Sequence, residues 1–272
     1  LTTQSILTVN DLHVYVSTDH CQVPILNGVS FDLQAGKVFG LVGESGSGKT
    51  MTCLALVNLL PNKSKVVRGS IKLKNKDLRN LSASEMRQIR GKEIAMIMQN
   101  PMSAFNPVVT IGQHFRETLR THLQVTQKQA EEMAITYLEL MQLPRPDLLL
   151  KQYPFQLSGG MLQRVMIAIA VSLQPSIIIA DEPTTALDAT NQLQILDQLN
   201  WLRKAYNTSI LLVSHDLGAI AYLADDVAVM NSGNIVERAS VSTLFNRPTH
   251  PYTKALLESR QSLSRKACEI LE

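Results

Sequence analysis

The stretch KVFGLVGESGSGKT, residues 37–50, constrains the fold more than any other part of the chain. Residues 37–42 read as a short apolar strand. They run directly into Gly43, Glu44, Ser45, Gly46, Ser47, Gly48, Lys49 and Thr50. That segment fits the phosphate-binding loop pattern. Its glycines let the backbone wrap closely, so that successive N–H groups face a phosphate. Lys49 can set a positive charge against the β and γ phosphates, and Thr50 can offer a hydroxyl to Mg²⁺. Residues 50–60 read as the helix that follows, stopped at Pro61.

The remaining pattern fits around this unit. Upstream, ILTVNDLHVYV alternates and ILNGVSFDL follows a polar loop, so the first forty residues read as strands. Ser82 with Glu85, and Thr126 with Gln129, match the capping box that opens a helix. After the second box, Ala130, Met133, Ala134, Tyr137, Leu138 and Met141 fall on one helical face, which Pro144 and Pro146 close. From residue 176, SIIIAD reads as a buried strand, 190–205 as a helix and SILLVSHD as another buried strand. DVAVMNSGNIVER reads as two strands around an Asn-Ser-Gly-Asn turn. Strands interleaved with helices imply an α/β fold with a mainly parallel sheet, a helical insertion near 100–168 and a polar tail from about 240.

Three further places carry chemistry. IIIADEP puts Asp181 and Glu182 at the end of a buried strand, about 130 residues after the phosphate loop. Asp181 suits a Mg²⁺ shell and Glu182 suits polarising an attacking water. His215 ends another strand on the side where sheet enzymes bind ligands, and Gln99 follows the apolar EIAMIM. The third place is Ser158-Gly159-Gly160 ahead of a long apolar helix. Its bare N–H groups, hydroxyl and dipole suit a γ-phosphate, yet one phosphate loop already exists. The expectation is that this turn closes over ATP bound to a second subunit, against the alternative of a glycine turn that allows close helix packing.

Composition limits the partners. Net charge is +3, which predicts no nucleic-acid partner. Ten Lys/Arg against three Asp/Glu lie between Lys63 and Glu93, including the alternation Ile71-Lys72-Leu73-Lys74, which reads as a strand with one wet face. Cys21, Cys53 and Cys268 show no paired spacing, so neither a disulfide framework nor a zinc site is expected and a reducing compartment is. His114 and His122 read as surface or satisfied core residues on a helix rather than as metal ligands. No secretion signal is visible and no apolar run approaches the ~18 residues that cross a bilayer.

These elements in this order resemble the ATP-binding subunit of ABC transporters over nearly the whole chain. On that resemblance Gly43–Thr50 is the phosphate loop and Gln99 the Q-loop residue. Leu157, Ser158, Gly159, Gly160 and Met161 form the signature. Asp181 and Glu182 are the Mg²⁺-holding acid and the catalytic base, Ala186, Leu187 and Asp188 the D-loop, and His215 the switch histidine. Thr50, Gln99 and Asp181 are the implied Mg²⁺ ligands, with ATP and Mg²⁺ as cofactors. The implied fold is a RecA-like P-loop ATPase core with a small antiparallel β-region and an α-helical subdomain. The divisions expected are 1–98 for the N-terminal part of the core with the β-region, 99–168 for the helical subdomain, 169–240 for the rest of the core and 241–272 for the tail.

The family implies a head-to-tail ATP sandwich with a second ATPase subunit, expected here as a heterodimer partner. It also implies two membrane permease subunits, an extracytoplasmic binding protein acting indirectly, and a peripheral place on the cytoplasmic face of the membrane. Met102, Phe105 and Pro107 are expected to border a groove for a permease helix. Met161 stands where the signature usually has Gln. The slot of an adenine-stacking aromatic holds Val16, with Tyr15 one position earlier. QNPMSAFNP and HPYTKALLES look like the importers of peptides, nickel and metal chelates. SAFNP and YPFQLSGGMLQR look more like the nickel and metallophore ATPases, so nickel or a chelate is the expected cargo and di- or oligopeptides the alternative. With only Cys268 in the tail, no iron–sulfur cluster is expected. A soluble ATPase of this type acting on DNA or ribosomes is the remote alternative.

Overall fold

In the computed structural model the described residues are 5–18, 21–185 and 187–259. In chain order the elements are β1 (Ser5–Ser17), β2 (Gln22–Gln34), β3 (Val38–Val42), α1 (Lys49–Leu56), β4 (Ser64–Leu73), β5 (Lys76–Asp77), α2 (Ala83–Ile89), β6 (Ile94–Ile97), α3 (Ile111–His122), α4 (Gln127–Leu140), α5 (Pro146–Leu149), α6 (Gly159–Val171), β7 (Ile177–Asp181), α7 (Ala189–Tyr206), β8 (Ser209–Ser214), α8 (Leu217–Leu223), β9 (Asp226–Asn231), β10 (Asn234–Ser240), α9 (Val241–Asn246) and α10 (Pro251–Glu258). Contacts divide the chain into one unit of residues 1–86 with 209–272 and a second of 87–208.

In the first unit, β2, β1, β4 and β5 form an antiparallel sheet in that order. The alternation in β1 buries Leu7, Val9, Leu12 and Val14, and in β4 it buries Ile71 and Leu73 while Lys72 stays wet. β3 is buried at every position and runs parallel to β8 on one side and β9 on the other. Phe31 of β2 stacks on Phe39 of β3 with ring centroids 5.1 Å apart. The β9–β10 hairpin turns through Ser232 and Gly233, both at positive φ, as a twist-matched two-residue turn requires.

Helix α1 is shorter than expected. Asn58 takes a left-handed conformation, its N–H donates to Ala55 O at 3.1 Å and the Leu59 N–H reaches Leu54 O at 2.9 Å. That pair of bonds closes the helix five residues before Pro61 by satisfying its last carbonyls. The expected polar tail holds two helices instead, with Val241, Leu244, Thr253 and Leu256 buried. Cys268 lies outside the described residues.

In the second unit, β6 and β7 pair in parallel, and α3, α4 and α6 pack on one another. The Thr126 capping box forms, its N–H donating to Gln129 Oε1 at 2.8 Å, and so does the Ser82 box in the first unit, where the Ser82 N–H donates to Glu85 Oε2 at 2.9 Å. The amphipathic face of α4 buries Ala130, Ala134, Tyr137 and Leu138. The prolines after it act differently from expectation. Gln142, at positive φ, ends α4 by the same bond pair as Asn58 ends α1. Pro146 opens α5 from its first turn, where a missing N–H costs nothing.

Candidate active site

The phosphate loop leaves the carboxyl end of β3. Gly43 is required by packing: a Cβ there would sit 2.2 Å from Met230 O. Gly48, at φ 106°, caps α1 without a side-chain hydrogen bond and leaves the first helical N–H groups to a ligand. Lys49 is 6% exposed, and its Nζ donates to Gly43 O at 2.9 Å and Glu44 O at 2.8 Å. Ser47 is buried with its Oγ unpartnered among the described residues, whereas Thr50 and Glu44–Gly46 are exposed. A ring of N–H donors, an ammonium and two hydroxyls is the donor set for a polyphosphate and its Mg²⁺. The β3–β8 register pairs Val42 with Ser214, so His215 emerges at the same edge as this loop. It is half-buried, and Asp216 beside it caps α8 through the Gly218 N–H at 2.8 Å.

In the second unit the β6–β7 register pairs Ile97 with Ala180, so Gln99 and the Asp181-Glu182 pair leave one edge together. Asp181 is 2% exposed, a carboxylate oxygen donor of the hard kind that Mg²⁺ prefers. Glu182 stands at φ 48°, a strained conformation for a non-glycine residue and one that clusters at functional sites. Its Oε2 accepts Gln99 Nε2 at 2.9 Å and Thr185 Oγ1 at 2.8 Å. Thr185 escaped the sequence reading because threonine in a turn has no signature of its own.

Ser158 caps α6 through the Met161 N–H at 3.3 Å, as its place before the helix predicts. The surroundings of the two glycines are open. A Cβ on Gly159 would meet nothing within 4 Å among the described residues, and one on Gly160 would reach only ordinary contact, 3.8 Å, with Leu187 and Asn191. Close helix packing therefore does not explain these glycines. Gln163 Nε2 donates to Pro183 O at 2.9 Å, and an Arg164 guanidinium nitrogen donates to Asn191 Oδ1 at 2.9 Å. These two ties join α6 to the segment after β7 and to α7. The signal for them was present as two polar residues inside MLQRVMIAIA. Leu187 is half-buried, and Asp188 caps α7 by accepting the Asn191 N–H at 2.9 Å, a bond that holds its carboxyl below the usual range. Ala186 lies outside the described residues.

One expectation at the periphery changes. Phe105 is 8% exposed and sets its ring edge-on to His114 at 5.0 Å, so it is local packing, while Met102 remains 44% exposed. His114 Nε2 donates to Asn106 O at 3.2 Å, a satisfied histidine. Tyr15 and Val16 pair in regular register with Pro24 and Val23, so they keep to opposite faces as the alternation expects, and both are half-buried.

A family model described as ABC transporter matches residues 26–185. The chain is 46% identical over 94% of its length to the oligopeptide transport ATP-binding protein AppD of Bacillus subtilis (strain 168), of which it covers 78%. It is 44% identical, again over 94% of its length and 78% of the relative, to the probable D,D-dipeptide transport ATP-binding protein DdpD of Escherichia coli (strain K12). Among solved structures, the dimeric post-hydrolysis state of the ATP-binding cassette MJ0796 bound to ADP and Pi matches with a TM-score of 0.78 at 22% identity, covering 86% of this chain and 98% of that one. The cbiO1 subunit from Clostridium perfringens, part of the ABC transporter complex cbiONQ, matches with a TM-score of 0.75 at 20% identity over 98% of this chain and 99% of that one. The fold shared with these structures is the α/β RecA-like P-loop fold.

Proposed function

The chain belongs to the ABC transporter family as an ATP-binding subunit whose ATP hydrolysis is coupled to transport, and from that premise we propose that it powers import of di- or oligopeptides. The peptide cargo is supported by relatives at 44–46% identity that are named as peptide transport proteins. They favour the alternative reading of the sequence over nickel. Nickel or a metal chelate stays as a second reading because SAFNP and YPFQLSGGMLQR resemble those ATPases.

The residue roles follow from the chemistry on each element. The loop N–H groups and Lys49 bind phosphate, and Thr50, Gln99 and Asp181 each offer an oxygen of the kind Mg²⁺ takes. Mg²⁺, when bound, neutralises charge on the phosphates. Glu182 accepts the proton of the attacking water, after Gln99 has released its Oε2. His215 steadies the γ-phosphate. Ser158 and the exposed N–H groups of Gly159 and Gly160 face the nucleotide of a second ATPase subunit, with Leu187 and Asp188 beside them. The observation that carries this last role is the open space at Gly159, which no described residue fills, beside a Gly160 that meets only ordinary contact. No described helix is long and apolar enough to cross a membrane, consistent with a subunit that sits beneath two permeases on the cytoplasmic face. The second ATPase is proposed as a different chain, and exposed Met102 as a permease contact.

The test is made in the assembled transporter. Lys49→Ala is expected to lose ATP binding, and Glu182→Gln to bind ATP but hydrolyse it at least a hundredfold more slowly, as loss of a positioned base predicts to within about 10²–10⁴. Cells carrying Lys49→Ala should lose uptake of a radiolabelled dipeptide and keep uptake of radiolabelled nickel. The reverse pattern of uptake would replace the peptide reading with the nickel one.

A further inference from the structure

We infer that Tyr252 is a positioning residue for Lys49, acting through the Gly43–Glu44 peptide of the phosphate loop; the inference rests on reading Lys49 as a phosphate ligand. One peptide plane is held from both sides. Its carbonyl, Gly43 O, accepts Lys49 Nζ at 2.9 Å, and its N–H, on Glu44, donates to the Tyr252 hydroxyl at 3.3 Å. The peptide is trans and planar, so the C=O and N–H point in opposite directions and turn together. Fixing the N–H fixes the carbonyl, and with it the direction in which the ammonium is drawn. The second bond from Lys49 Nζ goes to Glu44 O, the next carbonyl along.

Tyr252 is itself held by groups that do not depend on nucleotide. The Glu237 carboxylate of β10 accepts the Thr249 N–H and hydroxyl, both at 2.8 Å, and the His250 N–H at 3.0 Å. His250 Nδ1 accepts the Tyr252 N–H at 3.1 Å, and Thr253 beside it is fully buried. The loop meets the same part of the chain at two more points. The Gly233 N–H donates to Ser47 O at 2.9 Å, and Met230 O closes against Gly43. The segment from β9 to α10 thus braces the phosphate loop, and among the described residues the tyrosine hydroxyl is the side-chain group of that brace that reaches the peptide facing Lys49.

Without the hydroxyl the peptide can rotate, and the ammonium spends less time where a phosphate needs it. Binding should weaken while the hydrolytic step, which relies on Glu182, is spared. The experiment uses the purified full chain, with Mg²⁺ and a fluorescent ATP analogue, for equilibrium binding and thermal melts, and the assembled transporter for steady-state hydrolysis. Tyr252→Phe is expected to weaken nucleotide binding about three- to tenfold, the worth of one modest hydrogen bond, with kcat within about twofold and Tm within about 1 °C of wild type. Glu237→Gln, which loosens the anchor, should weaken binding in the same direction. Unchanged binding in Tyr252→Phe, or weakened binding accompanied by a Tm loss of several degrees, overturns the inference. Lys49→Ala separates the two levels. If it loses binding while Tyr252→Phe does not, only the role of Tyr252 fails; if it binds like wild type, the reading of Lys49 fails with it.

Discussion

Gly43 and Gly46 look interchangeable in GESGSGKT, yet they do different work. At Gly43 the constraint is a neighbour: an added Cβ would press on a backbone carbonyl, Met230 O, which cannot swing away as a side chain can. At Gly46 the constraint is φ alone, +80°, with nothing within 4 Å of an added Cβ. Gly43→Ala is therefore expected to cost roughly 3 kcal/mol through overpacking. Gly46→Ala is expected to cost about 1 kcal/mol through left-handed strain. Urea unfolding of the two variants measures the gap, and equal costs would mean the loop yields at Gly43. The same distinction sets what could be read beforehand. Residue types at fixed spacing announced Lys49, Asp181 and Glu182 as a chemical set. The bonds from Gln99 and Thr185 to one oxygen of Glu182 join residues far apart or in an unmarked turn, and only folding brings them together.

At the scale of elements, the end of the chain shows how a polar segment becomes structure. HPYTKALLES follows a polar stretch that carries no strand or helix-start mark, so the pattern from about 240 suggests a tail. Its helix is capped by His250, whose Nδ1 accepts the Tyr252 N–H at 3.1 Å, and the capping residue is itself tied by its N–H to Glu237 of β10, thirteen residues earlier. Burial pushes the Glu237 carboxyl up, but the bonds from the Thr249 N–H and hydroxyl and the His250 N–H outweigh it and hold the group at about 2. A carboxyl whose pKa is depressed on folding adds stability above its unfolded pKa and loses it as pH falls toward the folded value. Glu237→Gln should thus lower Tm by about 2–4 °C per kcal/mol lost at neutral pH. The difference from wild type should shrink steadily as pH falls from about 4.5 toward 2, the window between the usual carboxyl value and the folded one. A difference that stays constant over that window would mean Glu237 acts by shape rather than charge. Strand positions and both capping boxes were legible because each depends on neighbours within four residues. The stops at Asn58 and Gln142 were not, since a left-handed Asn or Gln carries a weaker mark than the prolines that follow them.

At the scale of the whole molecule the question is why the chain leaves a helix start exposed. α6 begins at Gly159, whose side-chain position meets no described residue within 4 Å, and it is tied to its own unit by Gln163 and Arg164 further along. Its first turn is therefore held in place, and the glycine that opens it stays clear of every described residue. A valine at Gly159 finds room here, so Gly159→Val should melt within about 2 °C of wild type, in line with exposed sites away from packing. It should also bind ATP as wild type does, because the phosphate loop is untouched. What it should lose is the ATP-dependent association that a Glu182→Gln background stabilises, because the added carbons stand where a partner's γ-phosphate would approach the N–H groups. Sedimentation of Glu182→Gln with its partner ATPase, with and without the valine, reads this directly. If both associate equally on adding ATP and Mg²⁺, the turn does not face a nucleotide across an interface. If the valine alone abolishes association while leaving stability and ATP binding intact, enclosing the nucleotide takes two chains, and its hydrolysis is what lets them separate.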